Sequence, residues 1–129
     1  MLVELTVKDF LNKVAGNDPV PGGGSIAALN GAVASALTAM VANLTIGKKN
    51  YEEHEELMKH IASLAMKAKD VFIADIDRDS EAYDAVFACF KMPKATDEEK
   101  AARSAAIQEA TKHAALVPMQ VARNAYELM

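Results

Sequence analysis

Three groups of residues in this chain have types and spacings suited to chemistry. The first is Pro21-Gly22-Gly23-Gly24-Ser25, placed directly ahead of an uncharged, alanine-rich stretch that runs to Gly47. If that stretch is helical, its first backbone N–H groups are unpaired and carry partial positive charge, and the glycines let a carboxylate or phosphate reach them. The same residues also suit a tight connection in which two backbones nearly touch. Both readings stand on the residues alone. A nucleotide-binding P-loop is excluded, because no Gly-Lys-Ser/Thr follows the required spacer.

The second group is Gly47-Lys48-Lys49-Asn50-Tyr51. Two lysines at a helix C-terminus oppose the negative end of its dipole, which is reason enough for their presence. They also offer a cationic wall for an anionic ligand, with Tyr51 as a stacking or hydrogen-bonding neighbour.

The third group is the acidic run Asp75, Asp77, Asp79, Glu81 and Asp84. Most charges on a long helix are solvated. Asp79 differs: it lies three residues beyond Ile76 and four before Tyr83, so it points along the apolar stripe toward protein. A carboxyl group so placed needs a partner or a raised pKa, which makes Asp79 the candidate general acid or base. A structural Asp paired with a lysine or a helix N-terminus is the competing reading. His54, His60 and His113 lack the spacing of a metal site, so no metal is expected. Cys89, among Val86, Phe87 and Phe90, reads as a small buried hydrophobe.

Four helices are needed to position these groups. Thr6 caps a helix over about Val7 to Ala15, stopped by Gly16, and residues 17–24 form a Pro/Gly loop. A second helix runs from about Ser25, as N-cap, to Ile46. Its small residues recur every four positions, as Ala27, Gly31, Ser35 and Ala39 and, alongside, Ala28, Ala32 and Ala36. Such rows let another helix approach closely, and a helix apolar nearly all round belongs in the centre of a bundle or at a subunit interface. Asn50 with Glu53 reads as a capping box for a long third helix, about Tyr51 to Lys91, stopped by Pro93. Thr96 with Glu99 reads as another, opening a last helix from Asp97 onward with Pro118 inside it.

The resulting expectation is an all-α antiparallel helical bundle, one domain over 1–129, with a buried Ala/Gly-rich central helix and one long helix. Composition agrees: half the residues are apolar, yet aromatics are 5% and Trp is absent. Net charge is −4 with both signs interspersed, which argues against a nucleic-acid partner. The charge-free segment 19–47 is long enough to span a bilayer, but its bulk is alanine interrupted by Ser25, Asn30, Ser35, Thr38, Asn43 and Thr45, so no membrane partner is expected. A single cysteine and no secretory signal at the N-terminus suit a cytoplasmic setting.

One resemblance covers nearly the whole chain. The run from Pro19 through Gly22-Gly23-Gly24-Ser25 to Met40-Val41-Ala42-Asn43-Leu44-Thr45-Ile46-Gly47-Lys48-Lys49-Asn50-Tyr51 resembles the signature of the formimino-tetrahydrofolate cyclodeaminase/methenyl-tetrahydrofolate cyclohydrolase family. Asp79-Ser80-Glu81-Ala82-Tyr83, Phe90-Lys91-Met92-Pro93 and Val117-Pro118 match it in order. The resemblance implies an all-helical homodimer or larger oligomer acting on a reduced folate. The implied reaction converts 5-formimino-tetrahydrofolate to 5,10-methenyl-tetrahydrofolate and ammonia, with cyclohydrolase chemistry as the alternative. It needs no metal or redox cofactor. By the same resemblance Asp79 moves the proton, Lys48, Lys49 and Tyr51 line the folate site, and Gly22, Gly23, Gly24 and Ser25 approach it. Family members continue into further helices after the point where this chain stops, so a shortened, non-catalytic helical oligomer is the competing expectation.

Overall fold

The computed structural model describes all residues, 1–129, and contains helices and turns without strands. A 3-10 turn at Leu2–Glu4 leads into α1, Val7–Val14. Thr6 caps α1, its Oγ1 accepting from the Asp9 amide at 3.1 Å, and Phe10 is its buried anchor. The Leu2 amide donates to Asp77 Oδ1 at 2.7 Å, which ties the N-terminal turn to the long helix described below.

Helix α2 spans Gly23–Thr45. It starts two residues earlier than expected: Gly22 is the N-cap and Ser25 lies inside the first turn. Ser25 is not available as a cap because its hydroxyl is spent elsewhere, donating to the Ile76 carbonyl at 2.7 Å. Buried positions step by three and four through Ser25, Ala28, Ala32, Ser35, Ala39 and Ala42. That is one helical face built of small side chains, and it lets the neighbouring helix pack close. By length and composition α2 would be long enough to cross a membrane. Here its small-residue face is packed on protein. The larger apolar residues Val33, Leu37, Met40, Val41 and Leu44 sit on the other side, each at least 49% exposed.

The segment after α2 corrects a second expectation. Gly47 has φ +77° and Asn50 φ +75°. Asn50 therefore occupies the left-handed region, which asparagine tolerates better than most residues, and is not an N-cap. A 3-10 turn at Glu52–His54 follows, and α3 begins later than expected, spanning Glu55–Phe90. Helix α4, Asp97–Leu128, opens with the capping box of Thr96 and Glu99 that its sequence predicts.

Helix α3 is the hub, with α2 and α4 both packed along it. It runs antiparallel to α2: Gly24 faces Asp79 near one end and Gly31 faces Phe72 further along. Phe72 and Ile76 of α3 meet Ala28 and Ala32 of α2, Phe10 of α1 and Val121 of α4 in one core cluster. Helix α4 is fastened at its start by Arg103, whose Nη2 donates to the Phe90 carbonyl at 3.2 Å. Cys89 is only partly buried; its Sγ donates to the Ala106 carbonyl at 3.6 Å.

The Gly31–Phe72 contact yields a stability prediction. Alanine for glycine inside a helix ordinarily gains about 1 kcal/mol. At Gly31 the added Cβ would stand 2.8 Å from the ring of Phe72, which is fully buried and has no room to retreat. Gly31→Ala is therefore expected to lower unfolding free energy by about 1–3 kcal/mol in urea denaturation. A gain would show that α2 and α3 do not pack this closely.

Candidate active site

The glycine-rich loop and the acidic run meet at one place. Pro21, after a cis Val20–Pro21 peptide, is buried and delivers the chain into α2. The N-cap is a glycine, so no side chain from the loop satisfies the exposed amides of the first turn. Asp79 of α3 occupies that position instead. A Cβ on Gly24 would overlap its carboxyl carbon and both carboxyl oxygens. Only glycine leaves space for the carboxyl group to lie against the helix end.

Burial raises the pKa of Asp79 above the ordinary carboxylate value, and hydrogen bonding from Ser25, its amide foremost, pulls it back down without cancelling the rise. The hydroxyl proton of Ser25 is committed to Ile76, so the amide is the donor left for the carboxylate. Ser80 completes the cluster: its Oγ lies 2.9 Å from Ser25 Oγ and is the donor there, since the Ser25 proton is already engaged.

A cleft of about 320 Å³ opens over this cluster, lined by Pro19, Val20, Gly22, Gly23, Gly24, Asp79, Ser80 and Tyr83, with Ala114 and Pro118 of α4 as its far wall. Tyr83 is partly exposed and its ring packs 5.1 Å from that of Phe87. A larger depression of about 580 Å³ adjoins the cleft and shares Pro19, Val20 and Ser80 with it. The cleft thus offers one titratable carboxyl, a helix N-terminus, two hydroxyls and an aromatic face. That set suits proton transfer on a small polar ligand held beside a ring system.

Of the residues expected at a site, the structure brings Gly22, Gly23, Gly24, Ser25 and Asp79 together. Lys48, Lys49 and Tyr51 lie beyond the other end of α2, roughly 35 Å away for a helix of 23 residues rising about 1.5 Å each. There Lys48 Nζ sits 5.4 Å from the Tyr51 ring centroid. Within one chain these residues do not meet Asp79.

Asp75, expected to be solvated with the rest of the acidic run, is completely buried. Arg78 Nη1 donates to Asp75 Oδ1 at 2.6 Å, while Oδ2 has no partner. Burial raises its pKa, Arg78 lowers it and the nearby Asp79 raises it again. The signal was present: Asp75 precedes Asp79 by four residues, so the argument that turns Asp79 inward turns Asp75 inward too. Ser80 and the α4 wall carried no comparable signal.

Comparison with known proteins agrees with the geometry. Residues 6–129 match the family described as formiminotransferase-cyclodeaminase. The chain is 45% identical over 124 residues to a methenyltetrahydrofolate cyclohydrolase of Methylorubrum extorquens, covering 96% of this chain and 60% of that protein. It is 34% identical over 121 residues to the formimidoyltransferase-cyclodeaminase of Gallus gallus, covering 94% of this chain and 22% of that one. The crystal structure of a formiminotetrahydrofolate cyclodeaminase from Thermotoga maritima superposes with a TM-score of 0.80 at 35% identity, over 96% of this chain and 58% of that one. The chain therefore spans less than two thirds of the length of each of these relatives.

Proposed function

The chain belongs to the formiminotransferase-cyclodeaminase family, and from that membership and the Asp79 cleft we propose that it is a reduced-folate enzyme converting 5-formimino-tetrahydrofolate to 5,10-methenyl-tetrahydrofolate and ammonia. The observation that carries this reading is a carboxyl group with a raised pKa, set at the N-terminus of α2 and open to a cleft with an aromatic wall.

The chemistry asks for little. N10 attacks the formimino carbon to give a tetrahedral centre bearing N5, N10 and the amino group. Asp79, entering as the carboxylate, takes the N10 proton and delivers it to the amino nitrogen, which leaves as ammonia while the C–N10 bond is retained. A pKa above the usual carboxylate value makes Asp79 a stronger base for the first transfer and keeps it a competent acid for the second. The α2 N-terminus and the Ser25 amide hold the carboxylate in place between the two. Holding N10 against the carbon supplies much of the remaining rate. Tyr83 offers a face for the planar part of the folate. No step requires a metal or a redox cofactor.

The working unit in this reading is a homodimer, in a cytoplasmic setting. What supports the dimer is the exposed row Val33, Leu37, Met40, Val41 and Leu44, an apolar outer face on α2 that a second copy would cover. Two α2 helices packed antiparallel through that row would carry one protomer's Lys48, Lys49 and Tyr51 toward its partner's Asp79 cleft. The lysines would then meet the carboxylates of the folate tail.

An absorbance assay for methenyl-tetrahydrofolate tests the reading. Its appearance from 5-formimino-tetrahydrofolate with equimolar ammonia is expected. Loss of supplied methenyl-tetrahydrofolate without any turnover of the formimino substrate would assign cyclohydrolase chemistry instead. No reaction in either direction and no folate binding in calorimetry would refute a folate enzyme and leave a helical oligomer.

A further inference from the structure

Pro118 sits well inside α4 and lines the Asp79 cleft together with Ala114. Those two residues are four apart, so the amide that should pair with the Ala114 carbonyl belongs to residue 118. Proline has no N–H, and its ring pushes against that same carbonyl and tilts it off the helix axis. The bonds that α3 and α4 make across their seam go to the Ala106 and Phe90 carbonyls, further up the helices, and leave Ala114 alone. Ala114 lines the cleft, and a carbonyl that has lost its i+4 donor to a proline is an acceptor that a ligand N–H can use.

Resting on the folate reading, we propose that the backbone carbonyl of Ala114, released by Pro118, binds the amidine N–H of the substrate opposite Asp79. The assignment places an acceptor on one side of the reacting carbon and the proton-carrying carboxyl group on the other. The amidine nitrogen that must leave as ammonia is held by one N–H on the carbonyl, so that N10 and the lone pair that forms on that nitrogen after attack both face Asp79. Ala114 contributes no side-chain chemistry to this contact; the information lies in Pro118.

The test is Pro118→Ala and Pro118→Gly in the full chain, read by KM, kcat and thermal midpoint. Both substitutions supply the missing N–H, which recaptures the carbonyl. Alanine also straightens the helix, whereas glycine leaves it pliant. KM for 5-formimino-tetrahydrofolate is expected to rise about tenfold in both, the worth of one hydrogen bond to a charged group. In the alanine variant the thermal midpoint should rise, because a proline inside a helix is removed. Weaker binding in a more stable protein is not what a merely structural proline would give. Unchanged KM in both variants of an active enzyme would overturn the proposal and leave the folate reading intact. A KM rise confined to alanine would assign the effect to helix straightening and also overturn it. If the unsubstituted chain neither binds nor converts folate, both readings fall together.

Discussion

Asp79→Asn is expected to slow turnover of the folate substrate by about 100-fold or more, the usual worth of a positioned proton-transfer group, without lowering stability at neutral pH. The two halves of that expectation come from the same physics. Burial lifts the pKa of Asp79 above its ordinary value. A group whose folded pKa is raised favours its protonated form in the folded state. Its contribution to stability is therefore full below the ordinary carboxylate pKa and is lost as pH rises through the folded value. At neutral pH the ionised Asp79 costs the fold something, and asparagine, which still accepts from the Ser25 amide, removes that cost. Thermal midpoints should show the variant equal to or above the parent at pH 7, with the gap closing toward pH 4. A variant that unfolds more easily at pH 7 would mean the ionised carboxylate is chiefly a structural cap for α2.

Gly24→Ala is expected to produce a loss of similar size by a different route. Its Cβ would overlap the Asp79 carboxyl group, not backbone. A carboxyl group can swing aside by rotating its side chain, so the fold survives while Asp79 leaves the helix end. Turnover should fall by about 100-fold, with a stability change under about 1 kcal/mol. The Gly31→Ala variant reverses that balance, because the ring it meets is fully buried. Gly23→Ala provides the stability comparison in the same first turn of α2: nothing lies within 4 Å of a Cβ there, and a gain of about 0.4–1 kcal/mol is expected. If Gly24→Ala acts through Asp79, the Gly24→Ala/Asp79→Asn double variant is no slower than the slower single one. Multiplying losses would show that the glycine serves something other than the carboxyl group.

Much of this architecture is legible in the residues. Thr6 and the Thr96–Glu99 pair mark helix starts because their side chains do what the backbone requires there. Asp79 could be turned inward because 76, 79 and 83 share a helical face. Where the reading slipped, a competing interaction had claimed the residue. Ser25 has a cap's chemistry but gives its proton to α3, and the group lying against the helix start is a carboxyl 54 positions away in sequence. Asn50 has a cap's identity but is needed for a left-handed turn. Lys48, Lys49 and Tyr51 belong to the same family signature as the glycine loop, and a continuous 23-residue helix sets them apart from it within one chain. Proximity in a motif does not become proximity in space across a straight helix. Asp75 was legible by the argument used for Asp79 and was lost among its exposed neighbours.

The central claim is that Asp79 moves the proton, and the pH dependence of kcat tests it most directly. Acting first as a base, Asp79 should make kcat fall as pH drops through an apparent pKa above the ordinary carboxylate value. That limb should vanish in the residual activity of Asp79→Asn. A parent profile with no limb above that value, or the same limb persisting in Asp79→Asn, would contradict the account.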